Sequence, residues 1–291
     1  MKIAIVTDST ADLSEEFVEK YDIKVIPLIV NYGGKSYRDR VDLSNRDFYE
    51  YIKDVKTLPT TSQATPAEFA EIYKKCKEEG YDKIISIHIS TEMSGTCRGA
   101  KVAADMVKDE IEVAVVDSRT VTLGLGLVVV NLAEYIQNNP QASWEEVQTW
   151  LRDFAKNTKI LFLIDSLDNL QKGGRIGKAS YLLGSVLNIK PILAVEDGFI
   201  LAHEKVRGKK IEKVLDSLTE AALSMIDPDK KLYFGLGANS DAYFDLFEER
   251  IMPALEAHQH GGMEKMSKCE MGAVVTTHIG LGAVGIAFSQ I

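Results

Sequence analysis

The first half of the chain alternates between short apolar runs and segments with the apolar period of an amphipathic helix. Runs of about four to eight apolar residues predict buried strands, and apolar positions three and four residues apart predict helices. The predicted strands are Ile3–Val6, Val25–Val30, Ile84–Ile89 and Val113–Val116. The predicted helices are Leu13–Lys20, Ser44–Val55, Pro66–Glu79, Gly95–Val107, Thr120–Gln137 and Ser143–Asn157. This alternation indicates a parallel sheet covered by helices on both faces.

After residue 157 the pattern mixes hairpins with helices. The predicted strands are Ile160–Ile164, Ile192–Val195, Phe199–Val206, Lys231–Gly235, Gly272–His278 and Gly285–Ser289. The predicted helices are Tyr181–Leu187, Lys210–Met225 and Ala242–Ala257. Glu196-Asp-Gly198 is a hairpin turn signal. We therefore predict two α/β domains: residues 1–157 with a three-layer α/β/α parallel sheet, and residues 158–291 with a mixed or antiparallel sheet.

Hydroxyl-rich loops follow three of the strands in the first domain. They are Thr7-Asp-Ser-Thr10, Ser90-Thr-Glu-Met-Ser-Gly-Thr96 and Asp117-Ser-Arg-Thr120. Such residues are common as turn formers and helix caps, and this structural interpretation suits Asp8 and Ser118. The carboxyl ends of parallel strands nevertheless share one edge of a sheet, where ligands bind. Neutral hydroxyl donors suit a carboxylate or sugar oxygens, whereas a polyphosphate usually recruits Lys or Arg.

The stretch before the third predicted helix adds further hydroxyls. Thr65 and Glu68 form a capping box with Pro66 at the first helical position. That box leaves the hydroxyls and amide of residues 60–63 unexplained. Ser94-Gly-Thr96 also opens a helix, whose first N–H groups favour an anion. Residues 60–63 and 94–96 are therefore candidate ligand contacts.

Composition narrows the function classes. The chain has 291 residues, 45% of them hydrophobic, and a net charge of −9. An acidic chain without a long basic run is a poor candidate for binding nucleic acid or an anionic membrane. The three cysteines have no disulfide or metal spacing, so they indicate a cytoplasmic protein with reduced thiols. No apolar stretch is long enough to predict a membrane span or stable membrane insertion.

Two glycine-rich segments resemble nucleotide motifs, and we reject both. Gly280-Leu-Gly-Ala-Val-Gly285 has no helix after it to hold a pyrophosphate. Gly173-Gly-Arg-Ile-Gly-Lys178 is one residue short of a P-loop and has Ala179 in place of Ser or Thr. The second segment carries Arg175, which could lie near an anion or pair with a nearby aspartate. Neither segment predicts a cofactor, and His258, His260 and Cys269 do not fit a metal site.

Taken in order, several segments of the chain resemble the bacterial DegV family, whose members bind fatty acids. The matching segments are Asp8–Leu13, Thr61–Gln63, Ser94–Thr96, Asp117-Ser118, Lys172–Ile176, Ile189–Ile192 and His278–Gly285. The resemblance covers nearly the whole chain and implies two α/β domains with a ligand tunnel at or near their interface. It also implies the role of the lipid-carrier subunit of a two-component fatty acid kinase.

The resemblance assigns roles to particular residues. It implies that Thr61, Ser62, Ser94 and His278 hold the carboxylate of a long-chain fatty acid such as palmitate or oleate. It also implies that Arg175, Gly95 and Thr96 support that head-group region. Arg207 lies in a small basic group and is a candidate for docking a separate fatty acid kinase. In this interpretation the protein has no chemistry of its own and no cofactor besides the bound lipid.

Two other functions stay open on the sequence alone. Ser94 and His278, with Asp8 or Asp117, could serve a serine hydrolase or acyltransferase, although Ser94 lacks the G-x-S-x-G motif. The protein could also be a sensor of a small carboxylate.

Overall fold

The computed structural model describes residues 1–55, 57–182, 189–207 and 210–291, with the side chains of Ile189 and Arg207 left outside the description. The strands are β1 (Ile3–Asp8), β2 (Lys24–Ile26), β3 (Ile29–Tyr32), β4 (Lys35–Arg38), β5 (Thr60–Ser62), β6 (Lys83–His88), β7 (Glu112–Asp117), β8 (Lys159–Leu163), β9 (Ile189–Glu196), β10 (Phe199–Arg207), β11 (Leu232–Ala238), β12 (Met263–Lys265), β13 (Cys269–Glu270) and β14 (Val284–Ser289).

The helices separate the strands along the chain. They are α1 (Glu15–Lys20), α2 (Asn45–Lys53), α3 (Pro66–Glu78), α4 (Thr96–Met106), α5 (Thr122–Asn138), α6 (Trp144–Asn157), α7 (Asp168–Lys172), α8 (Ile211–Met225), α9 (Asp241–His258) and α10 (Ala273–Ile279). Short 3₁₀ helices span Ser9–Ala11 and Gly177–Leu182.

The predicted fold class is confirmed. The first half of the chain contains a parallel sheet in the order β2-β1-β6-β7, and β3 pairs antiparallel with both β4 and β5 in a small second sheet. The second half contains a mixed sheet in the order β10-β9-β8-β14-β11-β12, with β13 also paired to β11. Strands β1 and β6 are buried along almost their whole length, as expected for a parallel sheet covered on both faces.

Local capping signals fix two of the predicted helix starts. Thr65 accepts the backbone N–H of Glu68 while the Glu68 side chain accepts the N–H of Thr65. Ser143 and Glu146 form the same reciprocal pair at the start of α6. Each box satisfies two backbone donors that a helix end otherwise leaves unpaired.

Helix α5 joins the two halves of the molecule. It is buried along its first three turns and shares one apolar core with residues of both large sheets, among them Ile85 and Leu193. The predicted domain boundary at residue 157 stays a prediction.

The predicted strand at Gly272–His278 is wrong, because this segment forms helix α10. Its run of valines and threonines has strand propensity, which tertiary contacts override here. His278 therefore lies in the last turn of a helix and not at the end of a strand. The predicted helix Tyr181–Leu187 lies mostly outside the described residues, although Tyr181 itself belongs to a 3₁₀ helix.

Candidate ligand-binding site

A cavity of about 300 Å³ lies between the carboxyl ends of the parallel strands and helix α10. This volume is at the lower end of the range for small-molecule sites. Polar residues on its wall include Thr10, Thr61, Ser62, Ser94, Arg175 and His278. Apolar residues on its wall include Leu28, Ile89, Met93, Ile200, Val275 and Ile279. The cavity therefore combines hydrogen-bonding groups with an apolar wall supplied by both halves of the chain.

His278 and Thr61 are in direct contact across the cavity wall. Their Nε2 and Oγ1 atoms are 2.8 Å apart, which joins the end of α10 to strand β5. The Nδ1 atom of His278 is buried and has no partner in the described part of the chain. A methyl group on Gly173 would come within 2.4 Å of that Nδ1 atom, so glycine is needed there for the ring to fit.

Ser94 lies at the start of α4, as predicted. Its Oγ accepts the backbone N–H of Thr96 at 3.3 Å and lies 2.8 Å from the Thr96 hydroxyl. When the Thr96 hydroxyl donates in this contact, the O–H of Ser94 remains available for a ligand. Gly95 packs so closely on Gln63 that a methyl group would come within 2.0 Å of the Gln63 Oε1 atom. The two hydroxyl-rich segments at 61–63 and 94–96 therefore meet.

Arg175 and Ser62 also border the cavity, and other groups hold both. The Nε of Arg175 donates to the carbonyl oxygen of Met93 at 3.1 Å, and Nη1 donates to the carbonyl oxygen of Gly173 at 2.6 Å. The Oγ of Ser62 accepts a hydrogen bond from Nδ2 of Asn31 at 3.3 Å, which leaves its own O–H to donate. Arg175 thus ties the Lys-Gly-Gly-Arg loop to the segment that carries Ser94.

The two aspartates considered for a catalytic triad are hydrogen-bonded to groups other than His278. Oδ2 of Asp8 accepts from Ile89 N at 3.1 Å and lies 3.0 Å from Nδ1 of His88, while its Oδ1 accepts from Thr10 N at 3.1 Å. Asp117 accepts from the hydroxyl of Thr91 at 2.6 Å. Neither contacts His278, so the geometry disfavours the hydrolase hypothesis.

Burial keeps the imidazole of His278 neutral. Desolvation, together with the positive charge of Arg175, lowers its pKa to about 4. At neutral pH one ring nitrogen is therefore a donor and the other an acceptor. A bound carboxylate would favour the protonated ring and raise this pKa.

We expect His278 to make the folded protein less stable in acid. Because its pKa is about 4 in the fold and about 6.5 when unfolded, the unfolded chain takes up the proton first. The stability held above pH 6.5 is then lost as the pH falls toward 4, by up to about 3 kcal/mol. Urea unfolding of ligand-free wild type and His278→Gln across this range measures the difference. The matched control is His203→Gln, because His203 is an exposed residue of β10. If the free energy of unfolding changed with pH in His278→Gln as it does in the wild type, the lowered pKa of His278 would be contradicted.

Sequence reasoning missed most of the apolar wall. The sequence predicts a strand at Val274 and Val275 and attaches no functional signal to Leu170 or Ile200. Hydrophobicity alone does not distinguish a cavity wall from a packed core, so these positions become visible only in the fold. Thr10 had a signal, because it lies in one of the hydroxyl-rich strand ends.

Comparison with known proteins places the chain in a family. The model of the DegV family, described as an uncharacterised protein family, matches residues 2–290. The chain belongs to the DegV family. A DegV domain-containing protein of Clostridium acetobutylicum is 37% identical over 291 residues, and protein DegV of Bacillus subtilis is 35% identical over 291 residues. Each of these alignments covers 99% of both chains.

Solved DegV structures share this architecture. A DegV family protein of Thermus thermophilus, described with fatty acid binding, superposes with a TM-score of 0.89 at 30% identity over 100% of both chains. DegV of Bacillus subtilis, a fatty-acid-binding protein, superposes with a TM-score of 0.84 at 33% identity over 100% of both chains.

Two further findings concern only the residues that the structure describes. Within them, no helix is both long enough and apolar enough to cross a membrane. The same residues contain no group of three or more His, Cys, Asp or Glu side chains arranged to hold a metal ion.

Proposed function

We propose that this protein binds a long-chain fatty acid, with the acyl chain against the apolar wall and the carboxylate at Thr61, Ser62, Ser94 and His278. The observation that carries the proposal is one cavity in which neutral donors adjoin an apolar wall. The DegV proteins described as binding fatty acids support it, since they share the fold over their full length.

The electrostatics of the site suit a monocarboxylate. The candidate donors are hydroxyls and a neutral imidazole, and the guanidinium of Arg175 is already bonded to two carbonyl oxygens. Hydrogen bonds to an ionised group are stronger than hydrogen bonds between neutral groups, so a few neutral donors are enough to hold one carboxylate. The apolar wall supplies the remaining affinity at about 0.8 kcal/mol for each CH₂ removed from water. A small carboxylate would leave this wall uncovered, which favours a lipid over the sensor hypothesis.

The direct test is organic extraction of the purified protein followed by mass spectrometry. We expect a long-chain fatty acid close to one molecule per protein chain. The absence of any lipid, together with no uptake of added palmitate or oleate, would overturn the proposal.

Presentation of the bound carboxylate to a separate fatty acid kinase is proposed from the family resemblance. Arg207 is the last residue of β10, and its side chain lies outside the described residues. Its neighbour Lys205 is exposed and lies 5.3 Å from the ring centroid of Tyr181, which is 64% exposed. Exposed aromatic rings are enriched in protein interfaces.

We expect Arg207→Ala to impair phosphorylation of the bound fatty acid by a cognate kinase while leaving fatty acid binding unchanged. A charge that acts only in docking changes association with the partner and not the ligand cavity. The assay is kinase turnover beside a fatty acid titration, with the exposed Lys77→Ala on α3 as matched control. Equal loss of binding and turnover would mean that Arg207 acts on the ligand or on folding.

A further inference from the structure

Helix α10 needs external contacts to hold its position. It has seven residues, about two turns, and helices this short are marginal by themselves. Its last turn carries His278, and its middle carries Val275 of the cavity wall. The placement of the imidazole against Thr61 therefore depends on whatever fixes the start of this helix.

Asp12 makes the first of these contacts. The backbone N–H of Gly272, the residue before α10, donates to Asp12 Oδ1 at 2.8 Å. The other oxygen, Oδ2, accepts a hydrogen bond from the hydroxyl of Thr122 at 2.6 Å, so both oxygens of the carboxyl group are hydrogen-bonded. The side chain of Asp12 is fully buried, and a methyl group on Gly272 would come within 2.6 Å of Oδ1. Asp12 belongs to the Asp8–Leu13 segment, and the proposed ligand contacts do not explain it.

Two more side chains hold the residues just before the helix. Nη2 of Arg40 donates to the carbonyl oxygen of Glu270 at 2.7 Å and lies 3.5 Å from Oδ1 of Asp12. The hydroxyl of Tyr49 donates to the carbonyl oxygen of Met271. Three side chains from the first fifty residues of the chain thus each bind one of the successive residues 270, 271 and 272.

At about 1.5 Å per residue, α10 extends roughly 10 Å from this anchored start to His278. At the far end, Asn169 Nδ2 donates to the carbonyl oxygen of Thr277 at 3.2 Å and Asn239 Nδ2 donates to the carbonyl oxygen of Gly280 at 2.7 Å, and neither bond fixes where the helix starts. A tilt or shift at Gly272 therefore moves the imidazole away from Thr61 and Gly173.

We propose that Asp12, supported by Arg40 and Tyr49, is a positioning residue that sets the start of α10 and thereby places His278 at the carboxylate site. This proposal rests on the proposed function for its ligand, but its structural part does not. It gives the Asp12 side chain a role in selecting a carboxylate over an equally apolar ligand.

The test compares palmitate with 1-hexadecanol, which has the same chain length and no carboxylate. For Asp12→Ala we expect palmitate binding to weaken about tenfold or more, and hexadecanol binding to change by less than about threefold. Asp12→Asn should recover most of the loss, because its amide oxygen can accept the Gly272 N–H. Burial raises the pKa of Asp12 to about 7, so a neutral side chain at this position is already populated near neutral pH.

A second readout needs no ligand. In an NMR titration of the histidine side chains, assigned with His278→Gln, the wild-type His278 should titrate near pH 4. In Asp12→Ala we expect its pKa to rise toward 6.5, since a displaced ring is better solvated. The groups that face this ring are Arg175, Thr61 and Gly173, and none of them is altered in the variant.

Tyr49→Phe keeps the test available if Asp12→Ala fails to fold, because it removes a single hydroxyl. We expect a smaller change in the same direction for both readouts, and none for Tyr51→Phe on the same helix, whose ring lies 4.1 Å from that of Tyr32. An unchanged palmitate-to-hexadecanol ratio together with an unchanged His278 titration would overturn the positioning role. If the His278 titration shifts in the variants but the wild type binds neither ligand, the positioning role is upheld and the proposed function is rejected.

Discussion

Ser94→Ala is expected to weaken fatty acid binding by roughly 10- to 150-fold. The Ser94 hydroxyl accepts the N–H of Thr96 and can donate to a carboxylate, and a hydrogen bond to a charged group contributes about 1.5–3 kcal/mol. The apolar wall is unchanged in this variant, so the remaining affinity comes from the acyl chain. Titration with a fluorescent fatty acid measures the effect. Ser224→Ala is the matched control, because Ser224 bonds within its own helix, to the carbonyl oxygen of Ala221 at 2.7 Å.

The same variant separates a carrier from an acyl-transferring enzyme. A nucleophilic serine would form an ester with an activated acyl substrate, and its loss would abolish turnover with little change in ground-state binding. Intact-mass analysis after incubation with an activated acyl ester detects such an adduct. An adduct on the wild type that disappears in Ser94→Ala, with fatty acid affinity unaltered, would overturn the carrier proposal.

Val275→Asp is expected to weaken palmitate binding by more than about 100-fold. Val275 is 6% exposed and lies in the middle of α10 on the cavity wall, where an acyl chain would cover the new carboxylate. Burying an unpaired charge costs several kcal/mol, whether the group stays ionised or takes up a proton. The effect should shrink in acid, where the new carboxyl is protonated before the ligand arrives.

The control for this substitution is Val102→Asp on α4, since Val102 is 52% exposed. Circular dichroism and urea unfolding of both variants separate a blocked cavity from a damaged fold. Wild-type affinity in a folded Val275→Asp protein would show that the acyl chain does not run along this wall.

The elements predicted correctly are those that local chemistry determines. The capping boxes at Thr65 and Ser143 involve residues three apart, and the buried strands β1 and β6 are continuous apolar runs. The error at α10 has the opposite origin. Its β-branched sequence favours a strand, and the contact that fixes its start joins Gly272 to Asp12, 260 positions away in the chain. Periodicity and propensity contain no information about such a contact.

The candidate site divides in the same way. The hydroxyl-rich loop after the predicted strand Ile84–Ile89 indicates Ser94 as a ligand contact, because parallel strands bring their carboxyl ends together. Thr61 is indicated by hydroxyls that the capping box at Thr65 leaves unexplained. The family resemblance assigns His278 to the carboxylate, and no rule of spacing relates it to Thr61, its partner at 2.8 Å across 217 positions. The apolar wall followed from neither argument.

The most direct test of the central claim is a paired titration of the delipidated wild-type protein with palmitate and 1-hexadecanol at pH 8. The two ligands bury the same chain, so their difference in affinity isolates the carboxylate at Thr61, Ser62, Ser94 and His278. We expect both to bind and palmitate to bind at least about tenfold more tightly, as one charged hydrogen bond requires. Equal affinities, or no binding of palmitate, would contradict a fatty acid site at this cavity.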